Sequence, residues 1–315
     1  MEILIYILAF ILSFIAAIVW KFKFKGMATA KKYSVKWDNS VGKMYTDIPY
    51  GEKEANKFDL YVPADNKKKS YGLVVYLHPG GFTSGDKKDD VKNLQWLCSL
   101  GYVTAGINYT LFAEKNPGAN VYTQSVEIRD SIPYVIAEAA KLGYNIDEMV
   151  IAGGSAGHAL AMIYAYRDAD TSPVPVRMVY GGVGPSCYYT EDWKCFGFDK
   201  NPEAGVGLFS IMSGNTITVD MIGTPEYDEA IKDISPVLWI KEGSVPCVAA
   251  YGKYDRMQSF EASIRLHDAL EKYNVPHEYI VCEHSGHGLQ NDSKQAALYM
   301  EKTVEYLNRY MPAKK

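Results

Sequence analysis

The stretch with the clearest chemistry is Gly153-Gly154-Ser155-Ala156-Gly157, which fits the pattern G-x-S-x-G. The apolar run Met149 to Ala152 comes directly before it and is typical of a buried strand, and a helical pattern of apolar residues follows it. A serine at a sharp turn between a strand and a helix is exposed as a nucleophile, and its strained backbone requires small neighbours. The pattern therefore predicts a nucleophilic Ser155, with the positive end of a helix favouring an oxyanion beside it.

A nucleophilic serine needs a base and an acid that orients the base, and two later loops offer both. Asp255 comes shortly after a predicted strand that ends at Tyr251, which places it where active sites form in parallel sheets. His284 and His287 share the loop after the last predicted strand. We predict His287 as the base, because Gly288 follows it and the loop length suits it, and we leave His284 as an outer or surface residue.

An oxyanion hole is predicted in the loop His78-Pro79-Gly80-Gly81, which follows another apolar strand. Glycine lets the backbone approach an acyl oxygen closely, and Pro79 has no N–H to donate. The predicted donors are therefore the N–H groups of Gly80 and Gly81, with that of Ala156 from the serine turn.

The remaining polar residues indicate no cofactor and no metal. The pair His284 and His287 lacks a suitable third ligand nearby, so a zinc site there is disfavoured. His267 and His277 are predicted to lie on helix or strand surfaces. His158, three residues after Ser155, and Phe82, next to the predicted oxyanion hole, are predicted to border the substrate pocket.

Strands and helices alternate along most of the chain, which predicts an α/β fold with a mostly parallel central sheet and helices on both faces. The regular alternation stops between residues 184 and 234, where many aromatic residues stand among glycines and polar residues. The predicted strands cover 43–50, 57–63, 73–77, 102–109, 149–152, 176–183, 246–251 and 277–282, and the predicted helices cover about 89–100, 125–142, 258–273 and 293–310.

Composition is that of an ordinary globular protein, with 315 residues of which 48% are hydrophobic and 22% are charged. The net charge of −4 argues against a nucleic-acid-binding surface. Five cysteines without metal-type spacing favour reduced thiols, although Cys187 and Cys195 could form a disulfide if the protein is exported.

The N-terminal segment is predicted to be a membrane anchor. Residues 3–20 are almost entirely apolar and would span about 27 Å as a helix, and lysines alternate with aromatic residues in 20–25. Because the lysines follow the span, the positive-inside rule places the rest of the chain on the cytoplasmic side. A cleaved signal segment followed by secretion, or a buried core helix, is the alternative. The predicted organisation is an anchor at 1–25, a linker at 26–42 and one domain at 43–315.

Taken together, these motifs resemble the α/β-hydrolase superfamily, whose nucleophile, acid and base follow one another as Ser, Asp and His. Within it the chain is similar to the H-G-G-G carboxylesterases and to the feruloyl and acetyl-xylan esterase-like (BD-FAE-like) group, over roughly residues 45–310. The resemblance implies a small cap inserted at about 184–234. It departs from the family pattern at Pro79, at Thr110 and at His158, where glycine, arginine and glycine are common.

The predicted activity is hydrolysis of short-chain or carbohydrate-linked acyl esters through an acyl-enzyme intermediate, with a small-molecule ester as the substrate. One alternative is an amide-cleaving relative, such as an arylformamidase or a peptidase. Another is a hydrolase-like binding protein without activity.

Overall fold

The computed structural model describes residues 32–314, and a compact unit begins at Trp37. Its centre is a sheet of eight strands in the order β1-β2-β4-β3-β5-β6-β7-β8. β1 and β2 pair antiparallel, as do β2 and β4, and the neighbouring pairs from β4 to β8 are parallel. The strands are β1 (Gly42–Pro49), β2 (Lys57–Pro63), β3 (Tyr71–Leu77), β4 (Val103–Ile107), β5 (Ile146–Gly154), β6 (Val176–Gly182), β7 (Cys247–Gly252) and β8 (His277–Cys282).

The central strands are buried on both faces, as continuous apolar runs predict. Leu73, Val74 and Val75 of β3 are fully buried, whereas β1 at the sheet edge is largely exposed. Helices cover the two faces of the sheet. They are α1 (Val91–Ser99), α2 (Val121–Lys141), α3 (Ala156–Ile163), α6 (Phe260–Lys272) and α7 (Ser293–Tyr310), whereas α4 (Pro202–Ser213) and α5 (Pro225–Ile231) lie between β6 and β7 and pack on other helices and turns.

This arrangement confirms the predicted α/β fold with a mostly parallel sheet. The bounds of β2, β8 and α7 are those predicted, and the other strands differ from prediction by a few residues at their ends. α2 begins one turn earlier than predicted, because the Asn120 side chain accepts the N–H of Thr123 and caps the helix there. Pro133 lies inside α2 without ending it.

The segment 184–234, which we call the cap segment, lies between β6 and β7 and is more regular than the sequence indicated. It contains α4 and α5 together with short 3₁₀ turns such as Thr190–Phe196. Two glycines inside α4, Gly205 and Gly207, obscured its helical pattern, since glycine is a poor helix former. A Cβ on Gly205 would press on the Trp193 ring, so packing accounts for one of them.

Within residues 32–314 there is no helix with the length and apolar character needed to cross a membrane. The predicted membrane anchor at 1–25, and most of the predicted linker, lie outside the described residues. Cys187 and Cys195 are both free thiols, the first buried and the second exposed, so the possible disulfide between them is not formed.

Candidate active site

Ser155 lies at the tip of the turn that joins β5 to α3. Its φ of 49° and ψ of −119° form a strained conformation that non-glycine residues seldom adopt. The turn is packed too closely for side chains, because a Cβ on Gly153 would overlap the backbone of Gly157. A Cβ on Gly157 would in turn overlap the carbonyl of Leu77 on β3. The small residues of the G-x-S-x-G pattern are therefore a steric requirement.

His287 reaches Ser155 from the loop after β8. Its Nε2 lies 2.8 Å from Ser155 Oγ. Backbone hydrogen bonds join this loop to the loop after β7, because Tyr254 N–H donates to the Ser285 carbonyl at 3.0 Å. A Cβ on Gly252 would overlap the Gly286 carbonyl, so the two loops can approach only where β7 ends in glycine. The loops that carry the acid and the base are thus built as one unit.

Asp255 is fully buried and contacts the far side of the His287 ring, with Oδ2 at 2.8 Å from Nδ1. Because a carboxylate accepts, the neutral ring carries its proton on Nδ1 and presents the Nε2 lone pair to Ser155. The N–H groups of Met257 and Gln258 donate to Asp255 Oδ1 at 2.8 and 3.3 Å. These two supporting residues were not predicted from the sequence, although an Asx turn after Asp255 would have indicated them.

The second histidine of this loop does not take part in the arrangement. The His284 side chain is 79% exposed, and its Nδ1 lies 2.9 Å from Asp292 Oδ1. Asp292 also accepts from the Ser285 hydroxyl at 2.6 Å. His284 and Asp292 therefore stabilise the loop that carries His287.

Two of the predicted oxyanion-hole residues, Gly80 and Gly81, line the same cleft as Ser155 and His287. Gly80 and Gly81 have φ values of 135° and 60°, which glycine adopts easily. The Gly80 carbonyl accepts the N–H groups of Thr83 and Ser84 at 3.1 and 3.0 Å, which closes the loop into a tight turn. Ala156 is the first residue of α3, so its N–H belongs to the first helical turn, where donors have no partner within the helix.

A polar framework holds this glycine loop in place. The His78 ring stacks on Tyr109 with centroids 4.4 Å apart, and the Tyr109 hydroxyl donates to the His78 carbonyl at 2.9 Å. Burial lowers the pKa of His78, so the ring is neutral at physiological pH. Further along the loop, Asn108 donates to Asp86 at 2.9 Å.

His158 does not lie where the sequence analysis placed it. It is fully buried, and burial lowers its pKa to about 3. Gly184 N–H donates to its Nδ1 at 3.3 Å, and a Cβ on Gly181 would overlap the ring. The side chain fills the space between α3 and the end of β6, which is inconsistent with the predicted contact to substrate. His158 lies on the side of α3 that faces the sheet, and this position buries its side chain even though the residue is close to Ser155 in sequence.

Two cavities meet beside Ser155. The cleft over Ser155 and His287 has a volume of about 640 Å³ and is open to solvent. A narrower apolar cavity of about 280 Å³ lies beneath the cap segment and shares Gly81 and Met257 with the cleft. Phe82 lines this second cavity, as predicted for a pocket residue. Its cap-segment walls are mainly aromatic and include Tyr188, Tyr189, Trp193, Phe196, Phe198 and Phe209.

The fold is shared with solved esterases, and part of the chain matches one family model. Residues 58–187 match the BD-FAE model. Esterase B from Lactobacillus rhamnosis superposes with a TM-score of 0.64 at 19% identity, covering 95% of this chain and 96% of that one. Esterase 2 from Thermogutta terrifontis gives a TM-score of 0.66 at 20% identity, covering 88% and 95%. The chain has the fold of these esterases, the α/β-hydrolase fold.

Curated sequences extend the relationship to two kinds of hydrolase. The kynurenine formamidase of Salmo salar is 29% identical over 152 residues, which is 48% of this chain and 49% of that protein. The probable carboxylic ester hydrolase LipM of Mycobacterium tuberculosis is 29% identical over 127 residues, which is 39% of this chain and 28% of that protein. The chain thus spans about half the length, or less, of the curated relatives it matches.

Proposed function

We propose that this α/β-hydrolase hydrolyses carboxylic esters with Ser155 as nucleophile, His287 as base and Asp255 as the orienting acid. The observation that carries the proposal is the chain of two 2.8 Å contacts from Asp255 through His287 to Ser155. These distances are those of a nucleophile in contact with its base and of a base in contact with its orienting group.

The positions of these atoms support the following reaction. Ser155 Oγ attacks the ester carbonyl while His287 Nε2 takes its proton, and the negative oxygen accepts from the N–H groups of Gly80, Gly81 and Ala156. The imidazolium then protonates the leaving alcohol as the C–O bond breaks, which leaves an acyl group on Ser155. Water attacks this acyl-enzyme with His287 again as base, and the acid is released as the Ser155 hydroxyl is restored.

The substrate we propose has a short acyl group, with an alcohol that can be as large as a sugar. The apolar cavity beneath the cap segment is small, at about 280 Å³, and suits a compact acyl group. The cleft on the other side of Ser155 is wider and open, which leaves room for a bulky alcohol. An ester panel with acetyl, butyryl, octanoyl and feruloyl groups measures this preference directly.

The experiment that tests the proposal replaces Ser155 with alanine. We expect kcat for p-nitrophenyl acetate to fall by about 10⁶-fold, and labelling by a fluorophosphonate probe to disappear. Ser40→Ala is the matched control, because Ser40 is exposed and far from Ser155 in the sequence. This variant should keep both the kcat and the labelling of the wild-type protein. Full activity in Ser155→Ala contradicts the proposal, and absence of labelling in the wild-type protein favours the alternative of a binding protein.

A second candidate function is cleavage of an aryl amide, because kynurenine formamidases are among the matching relatives. The same nucleophile and base would serve, but the leaving amine must be protonated before the C–N bond breaks. Comparing kcat/KM for an aryl ester and for the amide of the same acyl group separates the two activities.

We also propose that the apolar segment 3–20 anchors the protein as a single-pass membrane protein, with the catalytic unit on the cytoplasmic side. The lysines that follow the segment support this orientation. Protection of the catalytic unit from protease added outside intact cells is the expected result. Cleavage of the segment and secretion of the remainder would favour the alternative.

A further inference from the structure

Three side chains that the proposed reaction does not use meet at the far end of the sheet from Ser155. His267 and Glu271 stand four residues apart on α6 and share one face of the helix. His277 is the first residue of β8. Because β5 and β8 run in the same direction and Ser155 follows the end of β5, the start of β8 lies at the opposite edge of the sheet.

The donor atoms of these side chains converge. His267 Nδ1 lies 2.9 Å from His277 Nε2, and His277 Nε2 lies 3.4 Å from Glu271 Oε1. All three donor atoms lie within 4.8 Å of one another. Tetrahedral zinc with bonds of about 2.0–2.1 Å separates neighbouring ligand atoms by about 3.3–3.4 Å. The distance between His277 Nε2 and Glu271 Oε1 already has this value. The distance between His267 Nδ1 and His277 Nε2 would have to increase by only about 0.4 Å.

The His277 ring is oriented as a metal ligand would be. Its Nδ1 donates to the Val275 carbonyl at 2.8 Å, so in the neutral ring Nε2 carries the lone pair and faces the other two side chains. A backbone carbonyl on the second ring nitrogen is the usual outer partner of a metal-binding histidine, since it fixes the tautomer.

The His267 ring is also fixed in place. It stacks on Tyr279 of β8 with centroids 4.9 Å apart and an angle of 9°. The Tyr279 hydroxyl is in turn 2.8 Å from the Ser263 hydroxyl on α6. Because His277 Nε2 accepts, the bridging proton between the two rings belongs to His267 Nδ1. A metal ion bound at Nδ1 would require the neutral His267 ring to carry its proton on Nε2 instead, while both rings keep their planes.

We propose that His267, Glu271 and His277 bind a divalent transition-metal ion, with zinc as the best match. Two imidazoles and one carboxylate suit zinc better than calcium or magnesium, which prefer oxygen ligands. Three protein ligands leave a fourth position for water. The ion would join α6 to the start of β8, the strand that leads into the His287 loop, and would stabilise this last unit of the fold.

The test titrates the full-length protein, stripped with a chelator, with Co²⁺ and with Zn²⁺. We expect one Co²⁺ per chain, detected by visible absorption, displacement of it by Zn²⁺, and a higher Tm with Zn²⁺. His267→Gln and His277→Gln should each weaken Zn²⁺ binding by at least about tenfold and abolish the rise in Tm. Glu271→Gln, at a side chain that is 66% exposed, removes a ligand charge without disturbing the core and should weaken binding less.

Two histidine variants elsewhere are the matched controls. His284→Gln removes an exposed histidine, and His287→Ala removes the histidine beside Ser155; both should bind Zn²⁺ as the wild-type protein does. Absence of Co²⁺ binding in the wild-type protein overturns the proposal without reference to any variant. Binding that survives His267→Gln and His277→Gln but is lost in His287→Ala also overturns it, and assigns the ion to the cleft.

Discussion

The loops around Ser155 and the cap segment both line the apolar cavity of about 280 Å³, and they are held by different forces. Around Ser155, hydrogen bonds and close backbone contacts fix single atoms, as in the 2.8 Å contacts of His287 on its two sides. In the cap segment, aromatic rings fill space. Trp193 stacks on Phe209 at 5.6 Å and meets Tyr227 edge to face at 5.8 Å.

We infer from this difference that the loops around Ser155 serve the proposed reaction and that the cap segment serves the choice of substrate. Directional contacts define atom positions closely, and the proposed proton transfers require such precision. Packing of apolar rings is non-directional and tolerates a change of side chain if the volume is kept. We therefore expect substitutions near Ser155 to alter rate for every substrate, and substitutions in the cap segment to alter stability and substrate preference.

Among the substitutions that compare these two regions, Asp255→Asn has the largest expected effect. Loss of the carboxylate leaves His287 without the partner that fixes its tautomer, and kcat should fall by about 10⁴-fold, or about 5–6 kcal/mol. Steady-state kinetics with acetyl and butyryl esters should show the same loss for both. A loss confined to one acyl group would contradict the separation of reaction from selection.

Trp193→Ala is the corresponding change in the cap segment. Trp193 is 3% exposed, and removal of a buried tryptophan costs about 3–5 kcal/mol of folding stability. Thermal unfolding should show a clear fall in Tm. The kcat for an acetyl ester should change far less than the preference of the enzyme for acetyl esters over esters with longer acyl groups. Phe196→Ala, at a ring that is 38% exposed, is the milder control. Equal loss of kcat for all acyl groups at unchanged Tm would place Trp193 with the reaction residues.

Gly80→Ala tests the backbone of the proposed oxyanion hole. An added Cβ would overlap the Ser84 carbonyl, so the loop must shift, and kcat should fall by about 10²–10³-fold, or about 3–4 kcal/mol. Gly81→Ala is the matched control, because its Cβ would meet no atom within 4 Å and only the positive φ is unfavourable. An effect as large in Gly81→Ala as in Gly80→Ala would show that strain, rather than displacement of the donors, is responsible.

The smallest effect concerns the ion pair that joins the cap segment to α6. Arg265 bonds to Asp192, which is 5% exposed, and stacks over the Tyr189 ring at 5.3 Å. Arg265→Met leaves a buried carboxylate without its partner, which should cost about 1–3 kcal/mol of folding stability. Chemical denaturation measures the loss. Asp192→Asn in the same background should recover part of it, and failure to do so would mean that Arg265 acts through packing alone.

Much of the fold was predictable because its signals are local. An apolar run of strand length, or a periodicity of 3.6 residues, can be recognised within a short segment of the chain. For this reason β2, β8 and α7 have the predicted bounds. The cap helices were not predicted, since Gly205 and Gly207 weaken the local pattern and packing against aromatic rings supplies the missing stability.

The sequence by itself determined which loops carry the proposed nucleophile, acid and base, because Ser155, Asp255 and His287 each follow a strand and so lie at the same edge of a parallel sheet. Tertiary structure decided everything that depends on direction. It turned His287 toward Ser155 and His284 toward Asp292, and it buried His158 between a helix and a strand. His284 and His287 are the same residue type in the same loop, so only their surroundings distinguish them. The packed chain defines those surroundings.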